Sequence, residues 1–152
     1  MMLAPALPRS VLFMCRMNAV RSPMAERLAR QVLPPSVFVA SAGIHVGTSD
    51  PFVDAVLAED GLALGARMPK TLADLEDGYF DLIVTLAPEA HHAALELTRT
   101  LAVEVEYWPT PDPTATQGSR DQVMAAYRDM RDRLKARIEE RFGRELRENR
   151  AD

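Results

Sequence analysis

The sequence predicts a three-layer α/β fold, in which helices cover both faces of a central four-stranded parallel sheet. Short apolar runs alternate along the chain with segments whose apolar residues recur at helical spacing, and strands separated by helices pair in parallel. The chain has 152 residues, of which 47% are apolar and 26% are charged. These values are typical of one globular domain, predicted over residues 1–152 with flexible ends at about 1–9 and 144–152.

Two strands and two helices are predicted in the first half of the chain. Residues 10–14 form a short apolar run that is typical of a buried strand. The segment 22–32 begins with Ser-Pro, which predicts a serine cap followed by proline at the first helical position. Residues 37–43 form the second predicted strand. Ser-Asp-Pro then predicts the cap of a helix over 51–61, which ends at a glycine.

The second half continues the same alternation. A short helix is predicted over residues 72–76, a third strand over 80–87 and a helix that begins at Pro88 and ends near residue 98. A fourth strand is predicted over 103–108. A long terminal helix follows, capped by Ser119, and its apolar stripe is Val123, Tyr127, Met130, Leu134, Ile138 and Phe142.

Composition excludes several classes of function. A net charge of −4 argues against a nucleic-acid partner, and no apolar stretch is long enough to span a membrane. The single cysteine excludes an internal disulfide and favours a reducing compartment, so a cytoplasmic location is predicted. The first nine residues are too short and too interrupted by proline for a signal peptide.

The strongest functional signal lies between the first predicted strand and the first predicted helix. It is the segment Cys15-Arg16-Met17-Asn18-Ala19-Val20-Arg21-Ser22. A strand, a tight loop and a helix start form an anion site, because loop N–H groups converge there and the helix dipole favours negative charge. The guanidinium of Arg21 suits a phosphate-like oxyanion, since its planar fork donates two parallel hydrogen bonds. The same field favours the thiolate form of Cys15, which is therefore predicted to be a nucleophile.

Two further residues of this segment have predicted supporting roles. The hydroxyl of Ser22 is expected to donate to the sulfur of Cys15 and also to cap the helix. Asn18 tolerates left-handed dihedral angles and can fix a loop through side-chain hydrogen bonds. A lone cysteine is in general more often a small buried hydrophobic residue, but an arginine and a serine at this spacing favour the nucleophile.

At these residues the chain resembles the low-molecular-weight protein tyrosine phosphatase family, which includes related arsenate reductases. The family motif is an apolar strand followed by cysteine, five residues, arginine, serine and proline, as found here from residue 11 to Pro23. Two loop positions differ: Met17 replaces the usual glycine, and Val20 stands where a second cysteine is common. Three other segments match the family, namely Ala40-Ser41-Ala42-Gly43, residues 81–86 and Tyr107-Trp108-Pro109-Thr110-Pro111-Asp112-Pro113.

The resemblance implies a strand order, a mechanism and the roles of the site residues. The implied order is 2-1-3-4, and no metal or cofactor is required. Cys15 would attack phosphorus while Arg21 and the loop residues, Arg16, Met17, Asn18, Ala19, Val20 and Ser22, hold the phosphate oxygens. Asp112 would act as general acid and then as general base, and Ser41 would support the loop. From residue type alone, Asp112 is equally well explained as a turn residue.

The substrate is less clearly indicated than the chemistry. Phosphotyrosine-specific relatives carry aromatic residues after the Asp-Pro pair, whereas this chain has Thr114-Ala115 and no aromatic residue until Tyr127. The expected ligands are a phosphorylated protein or a small phosphomonoester, with phosphate or arsenate in the loop. One alternative is an arsenate reductase, which would need an external thiol or redoxin because the chain has no second cysteine. Another is a phosphate-binding module derived from a phosphatase.

Overall fold

Four parallel strands form a sheet in the computed structural model, which describes residues 7–75, 79–143 and 146. The strands are β1 (Ser10–Cys15), β2 (Phe38–Gly43), β3 (Leu82–Thr85) and β4 (Glu104–Tyr107). Their order across the sheet is β2-β1-β3-β4, which confirms the order implied by the resemblance. In register, Met14 of β1 is aligned with Ala42 of β2 and with Thr85 of β3.

Helices cover both faces of the sheet, as predicted. They are α1 (Arg21–Val32), α2 (Pro51–Ala58), α3 (Pro88–Leu97) and α4 (Arg120–Ile138), which continues as a π-helix over Glu139–Gly143. Side chains alternate along β1: Phe13 packs with α1, α2 and α4 on one face, and Leu12 packs with α3 on the other. No helix in the described ranges is both long enough and apolar enough to cross a bilayer.

Several strands and helices are shorter than predicted. The third and fourth strands end earlier than predicted, at Thr85 and Tyr107. The second helix ends at Ala58, and the chain then turns through Gly61, whose φ of 73° lies in the left-handed region. The predicted helix over 72–76 is a single 3₁₀ turn over Leu72–Asp74, and residue 76 lies outside the described residues.

The predicted flexible ends fall mostly outside the described residues. Residues 1–6, 144–145 and 147–152 are not described. Arg9, which is described, donates its backbone N–H to Asp81 at 2.7 Å and accepts from the backbone of Phe38 at 2.9 Å. These two hydrogen bonds hold the chain in place immediately before β1.

The predicted start of α1 was wrong in two respects. The N-cap is Val20, which makes no side-chain cap hydrogen bond, and Pro23 is the third helical residue rather than the first. Ser22 does not cap the helix because the helix begins one residue before it; its hydroxyl contacts Cys15 and accepts from Asn18. Pro23 is tolerated there because the first N–H groups of a helix have no partner within it.

The predicted caps of α2 and α4 are confirmed. Asp50 accepts a hydrogen bond from the N–H of Phe52 at 2.9 Å, with Pro51 at the start of the helix. Ser119 accepts from the N–H of Gln122 at 3.2 Å, and the Gln122 side chain accepts from the N–H of Ser119 at 2.8 Å. This reciprocal pair is a capping box.

An ion-pair cluster joins the end of α2 to α4. Glu59 accepts hydrogen bonds from Arg128 Nε at 3.0 Å and from Arg131 Nη1 at 2.7 Å. The hydrogen bond from Arg128, followed by that from Arg131, lowers the pKa of Glu59 to about 2. Arg131 also donates to the carbonyl of Val56 at 2.8 Å. The cluster therefore fixes α4 against α2.

We expect the stability contributed by Glu59 to disappear on acidification. Because its folded-state pKa lies below the unfolded value of 4.5, this contribution is present above that pH and is lost as the pH falls towards 2. Glu59→Gln should therefore be less stable than the wild type at pH 7, and the difference should shrink below pH 4.5. Urea unfolding of both proteins across this range measures the effect. A difference that does not vary with pH would contradict it.

Candidate active site

A small pocket opens at the carboxyl ends of the strands, where parallel α/β sheets bind their ligands. The side chains that line it come from two loops, one after β1 and one after β4. The cavity has a volume of about 90 Å³ and is lined by Cys15, Met17, Ala19, Val20, Arg21, Asp112 and Thr114. The structure therefore brings together the three residues predicted to be catalytic, Cys15, Arg21 and Asp112.

Cys15 is the last residue of β1 and forms the base of the pocket. Its side chain is only 2% exposed, and its Sγ lies 2.9 Å from the Oγ of Ser22. Ser22 Oγ also accepts a hydrogen bond from the Asn18 amide, and its one hydroxyl hydrogen is the donor to sulfur when Cys15 is a thiolate. A hydrogen bond donated to sulfur stabilises the thiolate, which is the nucleophilic form of cysteine.

The backbone N–H groups of the loop over residues 16–20 are not used in hydrogen bonds within the described part of the fold. The carbonyl groups of the loop are used instead: Arg16 accepts from Ile44 and His45, and Met17 accepts from Gly47, all at 2.9 Å. Unpaired N–H groups at the start of a helix form a binding site for an anion.

Gly43 allows the loop to lie against the end of β2. A Cβ atom at this position would lie 2.7 Å from the backbone nitrogen of Asn18 and 2.8 Å from the carbonyl carbon of Met17. Both neighbours are backbone atoms, so neither can move without changing the shape of the loop. The glycine of the matched Ser-Ala-Gly segment is therefore required for the close approach of two backbones.

Asn18 fixes the loop from behind. It is fully buried, and its φ of 52° places it in the left-handed region that the sequence analysis anticipated. Its amide nitrogen donates to Ser22 Oγ at 2.9 Å and to Ser41 Oγ at 3.0 Å. Because Asn18 is buried behind the loop, it holds the loop in shape and does not line the pocket.

Ser41 supports the loop from β2, at the position that the resemblance implied. Its hydroxyl donates to the buried carboxylate of Glu26 at 2.6 Å. Glu26 in turn pairs with Arg30 at 2.9 Å, one turn further along α1. A continuous hydrogen-bonded network therefore runs from α1 through β2 and the loop to the sulfur of Cys15.

Arg67 and Lys70 complete this network, although neither residue was predicted from the sequence to belong to the site. The Oδ1 of Asn18 accepts from Arg67 Nη2 at 2.6 Å and from the backbone N–H of Lys70 at 2.9 Å. Burial lowers the pKa of both side chains, although the charge of Glu26 opposes this effect. Arg67 Nε is also buried and has no acceptor among the described residues. Arg67 belongs to no sequence motif. The sequence shows only a positively charged residue in the loop before Thr71, which does not indicate a contact with Asn18.

Arg21 connects the loop over residues 16–20 to the loop after β4. Its Nη1 donates to the carbonyl of Thr110 at 3.1 Å, and its Nη2 lies 3.8 Å from Asp112 Oδ2. The Arg21 side chain is only 11% exposed, whereas that of Asp112 is 43% exposed. The guanidinium is therefore held in place, and the carboxylate remains accessible from solvent at the mouth of the pocket.

Asp112 forms a turn and also lines the pocket. It is the N-cap of a 3₁₀ turn over Pro113–Ala115, where its Oδ1 accepts from the N–H and the hydroxyl of Thr114 at 3.0 and 2.7 Å. Its other oxygen, Oδ2, faces Arg21 across the pocket. The turn thus fixes one carboxylate oxygen of Asp112, and the second oxygen is directed towards Arg21.

The remaining predicted ligand-binding residues divide into two groups. Met17, Ala19 and Val20 line the pocket, and Met17 is 38% exposed at its mouth. The Arg16 side chain is exposed and does not line the pocket, and Ser22 lies behind Cys15. Tyr127 is buried in the core, with its hydroxyl 2.5 Å from Asp50, so it does not replace the aromatic residues absent after Asp112.

Sequence comparison relates almost the whole chain to known enzymes. Residues 10–152 match the family described as low molecular weight phosphotyrosine protein phosphatase. An arsenate reductase from Bacillus subtilis (strain 168) is 30% identical over 131 residues, which cover 86% of this chain and 92% of the relative.

Structural comparison finds the same fold in solved phosphatases. An arginine phosphatase from Geobacillus stearothermophilus has a TM-score of 0.75 at 22% identity, and the match covers 95% of this chain and 96% of that one. The tyrosine phosphatase Wzb from Escherichia coli K30, in complex with sulphate, has a TM-score of 0.72 at 22% identity. This match covers 92% of this chain and 99% of that one.

Proposed function

This chain belongs to the low-molecular-weight phosphotyrosine protein phosphatase family, and we propose that it hydrolyses phosphomonoesters through a phosphocysteine intermediate at Cys15. The family includes phosphatases and arsenate reductases, so membership establishes an enzyme family and leaves the reaction to be chosen. The observation that supports the choice most strongly is the pocket itself. It places a buried thiol, a fixed guanidinium and an accessible carboxylate around one small cavity.

In the first step the Cys15 thiolate attacks phosphorus and the bond from phosphorus to the ester oxygen breaks. Arg21 and the unpaired N–H groups of residues 16–20 stabilise the charge on the three non-bridging oxygens, a contribution that is usually the largest single one. Asp112 in its acid form gives its proton to the departing oxygen, so that an alcohol leaves instead of an alkoxide.

In the second step water attacks the phosphocysteine. Asp112, now a carboxylate, takes a proton from the water, the bond between phosphorus and sulfur breaks, and inorganic phosphate leaves. The Cys15 thiolate is regenerated and accepts the hydrogen bond of Ser22 again. The expected substrates are a phosphorylated protein or a small phosphomonoester, and the single cysteine favours a cytoplasmic location.

Arsenate reduction is the second candidate, because the Bacillus subtilis relative is an arsenate reductase. Arsenate resembles phosphate in shape and charge, so the same loop can hold it. Reduction of arsenate to arsenite requires two electrons, and a protein with one cysteine cannot supply them by forming an internal disulfide. An external thiol or a redoxin would have to attack the arsenic adduct of Cys15 and be oxidised in the process.

One pair of assays separates the two reactions. Purified protein is tested for hydrolysis of para-nitrophenyl phosphate, with arsenate as a competitor, and for reduction of arsenate in the presence of a small thiol or a redoxin. Hydrolysis that arsenate inhibits, without thiol-dependent formation of arsenite, supports the phosphatase. Arsenite formation without phosphate release would replace it with the reductase, and arsenate binding without either reaction would indicate a binding module.

We expect Asp112→Ala to lower turnover according to the leaving group. A poor leaving group such as unsubstituted phenol needs the proton, so turnover of phenyl phosphate should fall about 10²-fold. Turnover of para-nitrophenyl phosphate should fall less, since nitrophenolate leaves more readily without a proton. Asp54→Ala, at an exposed position of α2, serves as the control. Equal losses for both substrates would remove Asp112 from the role of general acid.

A further inference from the structure

A second groove adjoins the catalytic pocket along the loop after β4. It has a volume of about 270 Å³ and is lined by Trp108, Pro109, Thr110, Pro111, Arg133, Leu134 and Arg137. Pro111 lines this groove, and the next residue, Asp112, lines the catalytic pocket. We infer that this groove binds an acidic side chain of a phosphorylated peptide, close in sequence to the phosphorylated residue. The inference rests on the proposed phosphatase activity.

Arg137 is the cation that would bind the acidic side chain. Its guanidinium carbon lies 5.3 Å from the centre of the Trp108 ring, which holds the group by a cation–π contact. Trp108 is itself fixed, because its Nε1 donates to Glu106 at 3.1 Å and its ring packs edge-on against Phe13. Within the described ranges, no carboxylate lies within 4.0 Å of the Arg137 guanidinium. The charge is therefore oriented in advance and is available to an anion.

Arg133 adds a second positive group to the groove. Its Nε already pairs with Asp129 at 2.9 Å, one turn earlier in α4. This pairing reduces its attraction for another anion, so Arg137 is the main recognition residue. The chain as a whole has a net charge of −4. General attraction between an acidic peptide and this protein is therefore not expected, and any preference must come from a local group.

The catalytic pocket explains why recognition outside it is needed. At about 90 Å³ it is small, and Thr114 lines it at the place after the Asp-Pro pair where phosphotyrosine-specific relatives carry an aromatic residue. Few contacts beyond the phosphate are therefore available inside the pocket. An extended peptide advances about 3.3–3.6 Å per residue, so side chains next to the phosphorylated residue lie outside the pocket, on the side where Pro111 and Asp112 join it to the groove.

The same loop connects the groove to the catalytic arginine. Thr110 lines the groove, and its carbonyl accepts the hydrogen bond from Arg21 Nη1 at 3.1 Å. A peptide that occupies the groove would thus contact the loop that includes Asp112 and binds Arg21. The binding of an acidic side chain is expected to affect KM more than kcat, since no groove residue touches the reacting atoms.

The test compares two phosphotyrosine peptides that differ only in charge. One carries glutamate on both sides of the phosphotyrosine, and the other carries glutamine at the same positions. The wild type should show a kcat/KM about three- to fivefold higher for the glutamate peptide at low salt, the range expected of exposed ion pairs. The preference should decline at high salt because the charges are then screened.

Three variants assign the preference to Arg137. Arg137→Gln should lose the preference, and Arg137→Lys should retain most of it. Arg99→Gln is the matched control, since Arg99 is an exposed arginine that pairs with Glu96 at the end of α3. Each rate is divided by the same variant's rate with para-nitrophenyl phosphate, which removes any general effect on folding or chemistry.

The outcomes separate this inference from the proposed function. If para-nitrophenyl phosphate is hydrolysed but the two peptides have equal kcat/KM, the groove is not an acidic subsite and the phosphatase stands. A preference that persists in Arg137→Gln also overturns the assignment. If neither the peptides nor para-nitrophenyl phosphate is hydrolysed, the proposed function fails and the inference fails with it.

Discussion

Replacement of Cys15 by serine should lower the turnover of para-nitrophenyl phosphate by a factor of at least about 10⁴. Loss of a catalytic nucleophile typically lowers turnover by this factor or more. A serine hydroxyl is not ionised at neutral pH, and within the described part of the chain the side chain that hydrogen-bonds position 15 is the hydroxyl of Ser22, which is not a base. No other cysteine in the chain can take its place. The measurement is steady-state turnover of the purified variant beside the wild type.

Binding should survive this substitution and provides the control. The anion-binding groups are the N–H groups of residues 16–20 and the guanidinium of Arg21, and none of them depends on the sulfur. Cys15→Ser should therefore still bind arsenate, as measured by calorimetry. Residual turnover above about one part in a hundred would contradict a covalent mechanism at Cys15, because general effects of the pocket would then suffice.

Arg21→Lys should lower kcat about 10³-fold, although the charge is preserved. A lysine presents a single ammonium group, whereas Arg21 holds two guanidinium nitrogens between Thr110 and Asp112. Lysine can therefore neutralise an oxyanion but cannot both anchor the loop and donate two parallel hydrogen bonds. Removal of one oriented donor to a transition-state oxyanion commonly costs 10²- to 10³-fold, and here the loop contact is lost as well.

The readout for Arg21→Lys is kcat together with the inhibition constant of inorganic phosphate. Weaker inhibition by phosphate should accompany the loss of turnover, since the same fork holds the ground-state anion. Arg99→Lys at the surface is the control and should leave both values unchanged. Turnover within a factor of ten of the wild type would show that charge alone is sufficient at this position.

The three candidate catalytic residues were predictable as neighbours because they are local in sequence or fixed by topology. Cys15 and Arg21 belong to one short segment, and Asp112 follows the fourth strand of a parallel sheet. Strand ends in such a sheet meet at one edge, so alternation of strands and helices was enough to place these residues together. Helix caps that use neighbouring residues, such as Asp50 and Ser119, were predicted for the same reason.

The residues that support the loop were harder to predict because their contacts are distant in sequence. Arg67 reaches Asn18 across 49 positions, and nothing in its neighbourhood distinguishes it from a solvated arginine. Ser22 shows the complementary error. A serine before proline normally caps a helix, but this helix begins one residue earlier, at Arg21, so Ser22 lies within the first turn, where its hydroxyl contacts Cys15.

The single, buried cysteine also allows chemical labelling of the pocket at one defined position. A thiol reagent that reacts with cysteine reacts at Cys15 alone, so the moles of label incorporated equal the moles of reduced Cys15 in a preparation. Cys15 is only 2% exposed, at a pocket of about 90 Å³, so a reagent too large for this pocket reaches the sulfur only when the surrounding loop opens, and the labelling rate reports how often this occurs. Stoichiometry and local dynamics can therefore both be measured in the native chain, without an introduced probe.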